Sequence, residues 1–142
     1  MFQPEPILLP VFVLVVWTMI QLFWMVSVRL PAIGKANLGP TAGQRTADLA
    51  VQLPENVQWK ADNYNHLLEQ PTAFYACAVA LAMMGACDGL NLYLAWGYVG
   101  LRIVHSIVHS TANIVLARFG LFLLSTLCLL AMAVNGAMSL MG

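Results

Sequence analysis

Charge is what this sequence has least of. Asp, Glu, Lys and Arg make up 8% of its 142 residues, against roughly a quarter in an ordinary soluble domain. Neither sign predominates, because six Lys and Arg balance six Asp and Glu. There is no basic field to hold nucleic acid and no acidic one to attract basic partners. Cysteine is scarce too. Cys77, Cys87 and Cys128 form no C-x-x-C pair and no even set, which argues against a disulfide framework or zinc site and for small buried hydrophobes. Proline is missing from Leu90 to Val134. What fills these gaps is apolar: 61% of the chain is hydrophobic, with a mean hydropathy of +0.78. A water-facing surface needs charge that this chain does not carry, so composition points to lipid as the solvent.

The charges are also unevenly spread. Eight of the twelve lie between Arg29 and Glu69. Ile7 to Val28 holds none and is long enough, at about 1.5 Å per residue, to cross about 30 Å of hydrocarbon. No Lys or Arg precedes this run and no A-x-A site follows it, so it reads as a first membrane helix over about 7–29 rather than a leader. Residues 30–54, with Gly34, Gly39, Pro40 and Gly43, read as a loop. Pro54-Glu55 opens a second helix, about 55–87, that begins polar and turns apolar. Asp88-Gly89 is a turn signal. A single helix from Leu90 to Val134 would run roughly 68 Å, so the chain must turn, and its most polar point is Thr111 to Asn113. The expected helices are therefore about 90–112 and 115–137. The whole reads as all-α, an integral membrane bundle of four helices. Arg29, Lys35, Arg45, Lys60 and Arg118 fall on one side of it, which places the long loop in the cytoplasm and both termini outside.

Polar groups within such spans cost free energy and call for a reason. Arg102, His105, His109 and Asn113 are spaced 3, 4 and 4 apart, within about 80° on one helix face. Ser106 and Ser110 widen its edge. Asp62, His66 and Glu69 form a second stripe, spaced 4 and 3. Counted from Cys87, Asn91 and Gly136, residues Glu69, His109 and Arg118 each lie 18 positions inward, roughly 27 Å. A carboxylate, imidazoles and a guanidinium should thus share one layer in the cytoplasmic half. Such a layer suits an anionic, hydrogen-bonding ligand from the cytoplasm that meets a lipophilic molecule from the bilayer. The same groups would also serve simply to fix helix register. Arg102, at mid-depth, is the most structural of them, paired with Glu69 of a neighbouring subunit. Arg29, at a helix end, would equally snorkel to headgroups. His105 and His109 have the i, i+4 spacing of metal ligands, but neither H-E-x-x-H nor a third ligand accompanies them, and no metal site is assigned.

At these residues the chain resembles the MAPEG family, the membrane-associated proteins in eicosanoid and glutathione metabolism. The resemblance is carried by Asn63-Tyr-Asn-His-Leu-Leu-Glu-Gln-Pro71 with Phe74-Tyr75, by Arg102-x-x-His105-x-x-x-His109, and by Arg118. It covers about residues 7 to 137. It implies a homotrimer of four-helix subunits that binds glutathione as co-substrate between subunits and meets a lipophilic electrophile or peroxide from the membrane. Glu69 then matches the residue that contacts the glutathione amine, and His66 the usual Asn three residues earlier. Arg102 and His105 match the family's Arg-x-x-His, His109 stands where many members have Tyr, and Arg118 matches the arginine near the thiol. Arg29 matches a basic residue closing the first helix. On this reading Arg118 and His109 are catalytic, while Glu69, His66, Arg29, Arg102 and His105 hold the ligand. Trp59, Asp62 and Asn65 occupy places where glutathione-using members usually carry arginines, and Lys60 is the one cation nearby. That departure keeps a second reading open: a non-catalytic membrane oligomer, or a lipid or small-anion binding protein, on the same scaffold.

Overall fold

The computed structural model describes residues 4–87 and 89–142. Among the described residues it is all helix and turn, with no strand. There are six helices: α1 Leu8–Lys35, α2 Thr46–Ala50, α3 Glu55–Leu67, α4 Pro71–Met83, α5 Gly89–Thr111 and α6 Val115–Met141.

Helix α1 runs to Lys35, past the end expected near Arg29, and carries Pro31 within it. Pro31 removes one intrahelical hydrogen bond, but packing offsets that loss. Val28, Ala32 and Ile33 cover a small core of buried Leu49, Leu53 and Val57. The segment expected to be a bare loop therefore contains a helical turn, α2, whose Leu49 is tucked under α1. Gly43 permits the approach: its φ is +88°, and a Cβ there would lie 3.2 Å from the Leu49 side chain.

The helix expected over 55–87 is two helices. Leu68, Glu69 and Gln70 form a turn between α3 and α4. The cause is Pro71, which has no N–H to continue the ladder and whose ring crowds the carbonyl four residues back; it sits instead in the first turn of α4, where proline is tolerated. The Thr72 hydroxyl donates to the Glu69 carbonyl at 2.7 Å, serving a backbone group of this turn. Helix α4 ends at Met83, and Gly85 follows with φ +66°, a left-handed stop. The turn expected at Asp88-Gly89 falls partly on Asp88, which lies outside the described residues; Gly89 begins α5. Between α5 and α6, Asn113 takes φ 49° and donates its N–H to the Val108 carbonyl at 2.7 Å.

Helix α5 is packed by α1, α3 and α6, and α4 rests on α1 and α6. The main core joins Ile7, Leu14, Leu67, Phe74, Ala78, Leu81, Ala95, Tyr98, Val99 and Met132, with Phe74 stacked on Tyr98 at 4.4 Å between ring centroids. Helices α1 and α6 are long and apolar enough to cross a membrane, and only 17% and 11% of their most apolar windows is buried. Their outer faces show Phe12, Val16, Ile20 and Phe23 on α1, and Leu116, Phe119, Leu123 and Leu127 on α6. Continuous apolar surface of that extent belongs against lipid or other helices.

Candidate functional site

One face of α5 carries the chemistry. Arg102, His105, Ser106, His109 and Ser110 are all buried, in keeping with the helical spacing that puts them on a common stripe. They divide into two groups according to what meets them.

Toward α1 and α3 the partners are neutral. Asn63 donates to Gln21 Oε1 at 3.0 Å and to Ser106 Oγ at 2.7 Å. Ser110 Oγ donates to the same Gln21 oxygen at 3.2 Å. Lys60 closes this group, with its Nζ 2.9 Å from the Asn56 carbonyl, 3.2 Å from the Ser110 carbonyl and 5.2 Å from the Trp24 ring centre.

Toward the α3–α4 turn and α6 the partners are ionisable. Arg102 is fully buried, an expensive position for a guanidinium unless it is paired. Its Nη1 lies 3.2 Å from His66 Nε2, and its Nη2 donates to Gln70 Oε1. The Phe122 and Tyr98 rings stand 4.9 and 5.5 Å from its Cζ, close enough for cation–π attraction. His66 Nδ1 is 3.1 Å from Glu69 Oε2. Within the chain, Arg102 thus reaches Glu69 through His66. The rings of His66, His105 and His109 form a triangle with centroids 5.0, 5.7 and 6.1 Å apart. Phe122 lies 5.6 Å from His66.

Beside this triangle is an open-sided cavity of about 240 Å³, lined by His66, His105 and Arg118 on one hand and by Val115, Phe119 and Phe122 on the other. Arg118 is half-buried, and its Nη1 donates to Asn113 Oδ1. Several nitrogens of this cluster and of Arg118 are buried with no hydrogen-bond partner among the described residues: Nδ1 of His105 and of His109, which donate or accept according to tautomer, and the donor Nε of Arg102 and Arg118. Buried polar atoms of this kind are normally satisfied. Those of His105 and Arg118, which line the cavity, are groups to which a polar ligand can bond. Among the described residues no group of three His, Cys, Asp or Glu side chains has metal-holding geometry.

The structure brings His66, Glu69, Arg102, His105 and His109 into one connected cluster, and Arg118 onto the same cavity as His66 and His105. It does not bring Arg29 there. Arg29 makes no contact with the cluster, and its Nη2 is buried without a partner among the described residues. Two features had no role assigned from the sequence. Gln70 accepts from Arg102 and Tyr98 and donates to Thr126; its signal was a polar residue just before a helix-breaking proline. Phe119 and Phe122, one and four residues after Arg118, line the same cavity as Arg118.

The sequence profile of the MAPEG family matches residues 7–138 of the chain. No curated protein and no solved structure matches it.

Proposed function

The chain belongs to the MAPEG family, and from that premise we propose that it is a membrane-bound, glutathione-dependent transferase or peroxidase-like enzyme acting on lipophilic electrophiles. On this reading α1, the α3–α4 pair, α5 and α6 form a four-pass subunit of a homotrimer, with the α1–α3 loop in the cytoplasm and both termini outside, as in a bacterial inner membrane. Glutathione is the co-substrate and lies between subunits.

The observation that supports this best is the make-up of the cavity: His66, His105 and Arg118 line one space together with Phe119 and Phe122. A peptide thiol carries carboxylates, an ammonium group and a nucleophile, while a lipophilic electrophile carries none of these. A pocket lined by both basic and aromatic side chains accommodates both. The unpartnered donors of His105, His109 and Arg118 fit carboxylate and thiolate acceptors. Glu69, with 68% of its side chain exposed, fits an ammonium.

Chemically, the positive charge of Arg118 favours the ionised thiol, as cations do for any thiolate, and His109 assists as a hydrogen-bond donor. The thiolate sulfur then attacks the electrophilic carbon. A C–S bond forms, the leaving group departs with its electron pair, and the thiol proton passes to water. No cysteine of the protein takes part. Glu69 and His66 position the peptide, and Arg102 and His105 hold those groups in place. Arg29 would act only where subunits meet.

The test is conjugation of an aromatic electrophile by the purified protein in detergent. Product formation that needs both glutathione and folded protein supports the reading, and its absence overturns it. The second reading, a non-catalytic membrane oligomer or a lipid or small-anion binding protein, draws on Asp62. This carboxylate stands where a glutathione-binding arginine is usual, is exposed, and accepts from Gln58 at 2.9 Å. Thermal stabilisation by glutathione separates the two, because the second reading requires none.

A further inference from the structure

We propose that Gln70 and Arg102 lock His66 in the tautomer that carries its proton on Nδ1, and that this lock is what aims the Glu69 carboxylate. Gln70 and His66 are then positioning residues. The activity arm of this proposal rests on the ligand reading above; the tautomer itself does not.

The argument is one of donor and acceptor polarity. A guanidinium only donates. Arg102 Nη1 lies 3.2 Å from His66 Nε2, so that nitrogen must offer its lone pair. The proton of the neutral ring is then on Nδ1, 3.1 Å from Glu69 Oε2, to which it donates. Which nitrogen of a histidine holds the proton is set by what the other one meets. Here the other one meets a group with no choice.

Arg102 is itself held. It is fully buried between the Tyr98 and Phe122 rings, and its second nitrogen donates to Gln70 Oε1. The Gln70 amide is oriented in turn: Oε1 also accepts from the Tyr98 hydroxyl at 3.3 Å, and Nε2 donates to Thr126 Oγ1 at 2.8 Å. The Thr126 hydroxyl donates to the Phe122 carbonyl at 2.8 Å, a backbone acceptor that cannot reverse. From that carbonyl on α6, through Thr126, Gln70, Arg102 and His66, every hydrogen bond has a fixed direction. The chain ends on Glu69 at the α3–α4 turn. Reversing Gln70 or His66 would leave a donor facing the buried Arg102 guanidinium, which can only donate. The outcome for Glu69 is specific: Oε2 is engaged, and the carboxylate presents its remaining oxygen to a single cationic group of a ligand.

The experiment is ¹⁵N-histidine NMR of the protein in detergent, at a pH where the rings are neutral. The chain has three histidines, and His66→Asn identifies the signal of interest. In the wild type the proton should be on Nδ1 of His66. Arg102→Met should move it to Nε2, and Gln70→Leu should give a mixture of the two forms. Gln70→Glu still accepts from Arg102 and should keep the wild-type form. In the conjugation assay Gln70→Leu should raise KM for glutathione roughly tenfold, the scale of one hydrogen bond to a charged group, with a smaller change in kcat, and Gln70→Glu should recover most of it. A wild-type proton on Nε2, or one unmoved in both Arg102→Met and Gln70→Leu, overturns the proposal. Should Arg102→Met fail to fold, Gln70→Leu alone decides. Absent conjugation with the expected tautomers sinks the enzymatic reading and leaves the lock standing.

Discussion

The two polar groups that meet α5 use the same helix to opposite ends. Gln21, Asn63, Ser106 and Ser110 are neutral and hydrogen-bond to one another across α1, α3 and α5. Gln21 Nε2 and Asn63 Oδ1 are also buried without a partner among the described residues, so the two groups differ in charge and in access to the cavity rather than in pairing. His66, Arg102, His105, His109 and Arg118 are ionisable; His66, His105 and Arg118 line a cavity, Arg102 and His109 contact His66, and several nitrogens of the group have no partner among the described residues. Neutral amides and hydroxyls cost little to bury once paired and set helix register. Buried ionisable groups cost far more, and a chain with so few charges would not place them there for register alone. The contrast separates scaffold from site within one helix.

Removing Arg118 should break this contrast most sharply. Arg118→Ala should lower the rate of glutathione conjugation by about 10²–10³-fold, the usual consequence of deleting a preorganised charge opposite a developing or stabilised anion. Because Arg118 is half-buried at the start of α6, the melting temperature in detergent should change little. An unaltered rate would remove Arg118 from the mechanism.

The aromatic side of the cavity should come next. Phe122 faces both His66 and the Arg102 guanidinium, so Phe122→Leu takes away a ring contact from each while keeping apolar bulk. KM for the lipophilic substrate should rise several-fold, a loss on the order of 1 kcal/mol for each cation–π or ring contact. KM for glutathione should move less. Equal effects on both would mean that Phe122 supports the polar layer rather than lining the path of the second substrate.

For the neutral group the expected outcome is reversed. Asn63→Leu deletes two hydrogen bonds in a fully buried position and should cost about 1–2 kcal/mol of stability. This would appear as a lower melting temperature, with the rate per folded molecule retained. A variant of wild-type stability but reduced rate would move Asn63 from scaffold to site.

How much of this was legible in the sequence depends on the physics involved. Arg102, His105 and His109 were placed on one face by helical period alone, and they are buried together because period survives folding. That Glu69 and Arg118 approach this face followed from counting residues inward from the helix ends. The α3–α4 break was harder to read, since Pro71 in an apolar run is compatible with a kink or with a fresh start, and the choice depends on what the freed turn can bond to. Gln70 was hidden for the same reason: its partners Tyr98, Arg102 and Thr126 lie 28 to 56 positions away, and one sequence gives no register between those helices. The small core of Leu49, Leu53 and Val57 beneath α1 was masked by loop-like composition around it.

Arg29 offers the smallest expected effect and the finest distinction. It closes the run expected to end α1, yet the helix continues to Lys35, which leaves Arg29 within the helix, away from the α5 cavity. Its buried Nη2 is a donor with no partner among the described residues. If subunits share the site, a neighbour's ligand is the acceptor, and Arg29→Ala should raise KM for glutathione by about two- to fivefold, within the up-to-1 kcal/mol range of a solvent-screened ion pair. The increase should shrink at high salt, because salt screens the contact in the wild type and the variant has none to lose. A KM that does not move at low salt would assign Arg29 to the headgroup region, and the ligand would then be held by α3, α5 and α6 without help from α1.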